Sequence, residues 1–259
     1  MSSLLSDQPP ARILMYHLCH KNADDPYADM RSQLRFIEEN NYETVHLSDI
    51  ANYLQDPDMY SNEYSNRKVV LTFDDAYMEF YKKVWPLLKG SFKATICVPT
   101  GYIAIDEENR QNATWENGPK QPLMIWKELR QLAKESSIEI IPHSVWHIGF
   151  EQFDNDERRL RYEICCSRLT LEHQLGLRNI QFFCFPGGAG VKFKNNKSDP
   201  DPLLHRILQQ EGFVGALKAE YGYREEGRRW NQYCIPRCQP DDRLALEKLL
   251  TKEGGFECR

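Results

Sequence analysis

Short apolar runs, each ending on a polar residue or a tight turn, alternate along this chain with amphipathic segments, and no other feature restricts its fold as much. RILMY (12–16) stops at His17, VVLTF (69–73) at Asp74 and Asp75, IEIIP (138–142) at His143, and IQFFCF (180–185) at Pro186 and the turn GGAG. The runs are rich in β-branched, aromatic and aliphatic residues, as strands buried on both faces are. Between them, MRSQLRFIEENN, SDIANYL, YMEFYKKVWPLLKGS, MIWKELRQLAKESS, NDERRLRYEICCSRLTLEHQLG and DPLLHRILQQEG carry helical spacing. Ser48 is the expected cap of the second of these, and the third is expected to run on from Ala76. YETVHL, KATICVPT and FVGALKA read as further strands.

Strand and helix alternate without a linker or a repeat, which predicts parallel strands joined by crossover helices in one domain, residues 1–259. The expected fold class is therefore α/β. If the strands close into a barrel, its active site sits where their C-terminal ends emerge. One connection, GYIAIDEENRQNATWENGPKQPL (101–123), is long and polar, as binding loops are.

Composition removes several function classes. Apolar residues at 41% and charged residues at 27% describe a soluble globular chain, and no apolar run reaches the roughly 20 residues that span a bilayer. A net charge of −5 argues against a nucleic-acid partner. MSSLLSDQPPARILMYH lacks the basic head and apolar stretch of a secretory signal, which places the chain in the cytoplasm. The eight cysteines form no CxxC pair and read as reduced, mostly structural thiols; Cys234 and Cys238 in CIPRC lack a second pair to complete a metal site.

HSVWH (143–147) offers two imidazoles four residues apart, on one side if the segment makes a helical turn. Two histidines with one carboxylate make the three-ligand pattern of a catalytic divalent-metal site. Two adjacent aspartates can divide labour, one on a cation and the other as a free base. Either of them could instead cap the helix that follows.

Several motifs together resemble one family, the polysaccharide deacetylases of carbohydrate esterase family 4. TFDDAY is similar to its first motif, HSVWH to its second and FCFPGGAG to its third. ILMYH, KATICVPTGYI, WKELRQLAKE and IPR resemble the subgroup of poly-N-acetylglucosamine deacetylases, and the likeness runs from about residue 12 to 250. The resemblance implies an irregular (β/α)7-type barrel. It also implies a metal-dependent hydrolase that removes an N-acetyl group from an amino sugar in surface-polysaccharide biosynthesis. A divalent ion is implied, zinc foremost, with cobalt, nickel, manganese or iron as alternatives.

By the same resemblance, Asp75, His143 and His147 are the metal ligands, Asp74 the catalytic base and His17 the general acid, with His20 a second choice. Pro186, Gly187, Tyr102 and Arg237 are assigned to substrate binding. The Gly187 N–H would face the oxyanion, and Arg237 in IPR would orient Asp74. Tyr102, Trp126 and Trp146 are candidate walls against a sugar ring or the acetyl methyl. Three departures stand out: Ala76 in place of a glycine, Pro142 before His143, and Phe183, Cys184 and Phe185 where an arginine is usual. Two other readings remain open, an inactive carbohydrate-binding protein on the same scaffold and a de-O-acetylase or amidase.

Overall fold

The computed structural model describes residues 11–18, 28–56, 67–114, 120–153, 156–187, 202–219, 222–223, 231–240, 243–251 and 257–258. His20, Gly188 and the rest of the GGAG turn lie outside the described residues. The strands are β1 (Arg12–Tyr16), β2 (Glu43–Thr44), β3 (Lys68–Phe73), β4 (Ala94–Val98), β5 (Ile138–Pro142), β6 (Phe182–Cys184), β7 (Gly215–Ala219), β8 (Gly222–Tyr223), β9 (Ile235–Arg237) and β10 (Glu257–Cys258).

Two parallel sheets carry the architecture. The first runs β1-β3-β4-β5, with β2 paired to the start of β3, and the second runs β6-β7-β9. The path strands of both sheets make up the seven of an open (β/α)7-type barrel. Along one edge, Leu14 bridges Cys238, with Met15 N–H donating to the Cys238 carbonyl and Cys238 N–H to that of Ile13. At the opposite edge β5 and β6 form no ladder among the described residues, so the wall is not closed there.

A continuous apolar core runs from Ala11 to Leu250, with β3, β4 and β7 buried along most of their length. Trp126, offered above as a sugar wall, is 4% exposed and belongs to this core.

Local signals held where the chain supplies its own stop. Helix Ala28–Glu39 ends just before Asn41, which adopts φ 55°. They failed where the partner is distant. Helix Leu47–Gln55 begins before Ser48, with His46 at its N-cap, and Glu139 of β5 accepts the N–H groups of Leu47 and Ser48 at 2.9 and 3.1 Å. The run read as one helix over 155–176 is Glu157–Arg161, a π-helical segment Tyr162–Cys166, and Ser167–Leu175, closed by Gly176 at φ 68°. The thiol reading needs one correction, because Cys238 is disulfide-bonded.

Candidate active site

The C-terminal ends of β3, β5 and β6 deliver the polar residues to one place. Asp74 N–H donates to the Tyr16 carbonyl at 2.8 Å, which ties the tip of β3 to β1, and His143 N–H donates to that of Val98 at 2.9 Å. Beyond the tip the backbone turns left-handed at Asp75 (φ 70°) and Ala76 (φ 55°), and helix begins only at Met78, passing into the π-helical segment Phe80–Val84. Neither aspartate caps it. The alanine in the glycine position therefore does sit at positive φ, at a cost of roughly 1 kcal/mol or more.

HSVWH makes no helical turn either. It is an irregular loop in which Ser144 (φ 64°) and His147 (φ 51°) are left-handed, and this swings both imidazoles toward Asp75. His147 Nε2 lies 3.1 Å and His143 Nε2 3.6 Å from Asp75 Oδ1. That oxygen is buried, and no donor meets it in hydrogen-bond geometry. An orphaned carboxylate oxygen facing two imidazole nitrogens fits a cation, and the three residues form a group that could hold a metal ion. His143 Nδ1 lies 3.0 Å from the Cys184 carbonyl, a contact that favours the proton on Nδ1 and points the Nε2 lone pair at the centre.

Asp74 is held differently. Arg237 grips it with both prongs, Nη1 to Oδ1 at 2.6 Å and Nη2 to Oδ2 at 2.8 Å, and Nη1 also donates to Thr72 Oγ1 at 3.0 Å. Arg237 is fully buried behind Asp74, the placement expected of a residue that orients that carboxylate. Burial alone would raise the Asp74 carboxyl. Arg237, His143 and His17 outweigh that and hold it well below the usual carboxylate range. Burial would raise Asp75 too, and His147, His17 and His143 reverse the shift. For His143, burial disfavours the charged form, but Cys184, Asp74 and Asp75 outweigh it and push the imidazole up to about 10. His17 is partly exposed, with Nε2 3.8 Å from Asp74 Oδ2.

Around this cluster, Pro186 is buried while Gly187, at φ 67°, faces solvent with open space where a side chain would project. Tyr102 meets Trp146 edge to face at 5.6 Å, and Trp146 is 42% exposed. Thus His17, Asp74, Asp75, His143 and His147 converge. Tyr102 stands beside the turn that carries the histidines. Two residues of the neighbourhood carry no local sequence signal. Glu163 lies under that turn, and Gly101 leaves no room for a Cβ, which would fall 2.7 Å from the Val145 carbonyl and the Trp146 ring.

Solved structures share this fold. The Streptococcus pyogenes deacetylase PplD, in complex with acetate, superposes with a TM-score of 0.68 at 20% identity, over 93% of this chain and 98% of its own. IcaB from Ammonifex degensii gives 0.69 at 18%, over 93% and 97%. The open α/β barrel described above is thus a fold that these structures share. By sequence the polysaccharide deacetylase family model matches residues 61–198, more than half of the chain, which belongs to that family. A curated relative, the poly-beta-1,6-N-acetyl-D-glucosamine N-deacetylase of Escherichia coli (strain K12), is 25% identical over 162 residues, 58% of this chain. The match spans 23% of that protein's length.

Proposed function

We propose that this chain hydrolyses the N-acetyl group of an N-acetylated amino sugar within surface-polysaccharide biosynthesis, using a divalent cation held by Asp75, His143 and His147. The observation that carries the reading is the unsatisfied, buried Asp75 Oδ1 facing two imidazoles, next to a second carboxylate clamped by Arg237. A carbohydrate-binding module has no use for the second carboxylate, so catalysis is favoured over binding alone.

A divalent ion held there would supply a bound water acidified toward neutral pH and would polarise the amide carbonyl. The remaining work falls to the chain. Asp74, ionised at neutral pH, accepts the proton of the attacking water, and Arg237 keeps the carboxylate from turning away. The Gly187 N–H donates to the developing oxyanion, a contact of this kind being worth about 3 kcal/mol. His17, protonated, gives its proton to the departing nitrogen as the C–N bond breaks, leaving acetate and a free amine. Tyr102 and Trp146 offer aromatic surface to the sugar ring.

The relative's substrate, poly-β-1,6-N-acetylglucosamine, is the first candidate polymer, and its oligomers are the first to test. Among the described residues no helix is long and apolar enough to cross a membrane. The Cys238 disulfide favours an oxidising compartment, against the cytoplasmic placement expected from the N-terminus. The test is elemental analysis of the purified protein with an acetate-release screen over oligomeric and nucleotide-linked N-acetyl sugars and their O-acetyl counterparts. Release confined to O-acetyl substrates would sink the de-N-acetylase reading.

A further inference from the structure

The turn that carries the two histidines rests on a carboxylate with no part in the scheme above. Glu163 lies in the π-helical segment Tyr162–Cys166, on a face otherwise buried through Leu160, Ile164 and Leu171. It is itself buried, and its Oε2 accepts the N–H groups of Val145 at 2.8 Å and Trp146 at 2.9 Å. The opposite side of the same turn is tied to the end of β4, where Thr100 N–H donates to the Ser144 carbonyl at 3.1 Å and Gly101 N–H to that of Val145 at 2.8 Å. Within the turn, His147 N–H donates to Ser144 Oγ at 3.0 Å.

These tethers act on strained backbone. Ser144 and His147 are left-handed, and such residues persist only where their surroundings hold them. A buried carboxylate is an expensive tether, since its desolvation must be offset by its hydrogen bonds. Two charge-assisted bonds to consecutive N–H groups repay part of that cost and fix the direction of the peptide planes between the two histidines.

We propose that Glu163 is a positioning residue that sets the spacing of His143 and His147, and through it the affinity of the site for a divalent cation. The inference rests on the cation-centre reading above. It differs from the known family chemistry in acting through the backbone, with no contact to ligand or substrate.

The experiment measures Zn²⁺ affinity by calorimetry and the visible spectrum of bound Co²⁺ in the wild type, Glu163→Gln and Glu163→Ala. Unfolding midpoints of the cation-free proteins are recorded alongside. Glu163→Ala is expected to weaken Zn²⁺ about 10–100-fold, as loss of an outer partner of a metal ligand does, and to alter the Co²⁺ spectrum. Glu163→Gln keeps the volume and one acceptor oxygen but not the charge, and falls between the two. A role confined to core packing would lower the midpoint yet leave affinity and spectrum at wild-type values, and that result overturns the proposal. If Glu163→Ala does not fold, Glu163→Gln decides, with wild-type affinity counting against it. Should the wild type take up neither ion, the cation-centre reading itself fails, visibly apart from any effect of Glu163.

Discussion

Arg237 and Asp74 form a two-pronged ion pair from which solvent is excluded, with Nη1–Oδ1 at 2.6 Å and Nη2–Oδ2 at 2.8 Å. Removing one partner of such a pair strands the other charge, at a cost of about 3–5 kcal/mol. Arg237→Met is therefore expected to lower unfolding stability by that order at neutral pH, and the double variant Asp74→Asn/Arg237→Met to recover much of it. Urea titrations of the wild type, Arg237→Met, Asp74→Asn and the double variant check this. The pH dependence follows from the sign of the shift. Asp74 titrates lower in the folded chain than when unfolded, so its contribution is present above about pH 4 and is lost as pH falls toward the folded value. Without Arg237 the buried carboxyl is harder to ionise, so the deficit of Arg237→Met against the wild type is largest at neutral pH and shrinks on acidification, as Asp74 takes up a proton.

The two aspartates separate by function. Asp74→Asn is expected to retain the divalent ion and lose activity by about 10²-fold or more, the usual worth of a positioned base. His143→Ala is expected to lose both. Metal content by mass spectrometry beside acetate release distinguishes them, and normal turnover by Asp74→Asn would remove the base assignment.

Gly101 and Trp146 touch so closely that a methyl group has no place between them. Gly101→Ala must push on the Val145 carbonyl and the indole, and overpacking of this kind costs typically 1–3 kcal/mol. A lower thermal midpoint together with weaker cation uptake is the expected result, because the displaced peptide joins the two histidines.

Trp146, partly exposed and edge-on to Tyr102, is assigned to ground-state binding of the sugar. Trp146→Ala should raise KM several-fold with kcat little changed, the signature of lost uniform binding. Steady-state kinetics on an oligomeric substrate measure both, and a drop in kcat alone would place the indole in the chemistry instead.

Strand ends were the most legible part of this chain. The position of Asp74 and Asp75 followed from five apolar residues and two charges, because burial of a strand forces its charged neighbour to the rim. The convergence of His143 and His147 was also legible, but its reason was not. A helical turn was expected and left-handed backbone does the work, held by Thr100, Gly101 and Glu163, all of them outside the loop itself. Glu163 sits among apolar residues at helical spacing, and nothing near it announces that it accepts bonds from another loop. The cap of helix Leu47–Gln55 escaped notice for the same reason, since Glu139 reaches it from β5. For Trp126 wall and core were equally open, because an aromatic residue beside a polar loop looks the same whether it lines a cleft or fills a core, and it fills the core.

The contact from His143 to the Cys184 carbonyl crosses the edge at which β5 and β6 leave the barrel wall unpaired. One imidazole thus serves as rivet as well as proposed ligand. A descendant of this chain could shed His147 without loosening that edge, whereas losing His143 would unfasten part of the architecture and losing Asp74 would strand Arg237. Survival of His143 in a decayed copy of the scaffold is therefore poor testimony to activity.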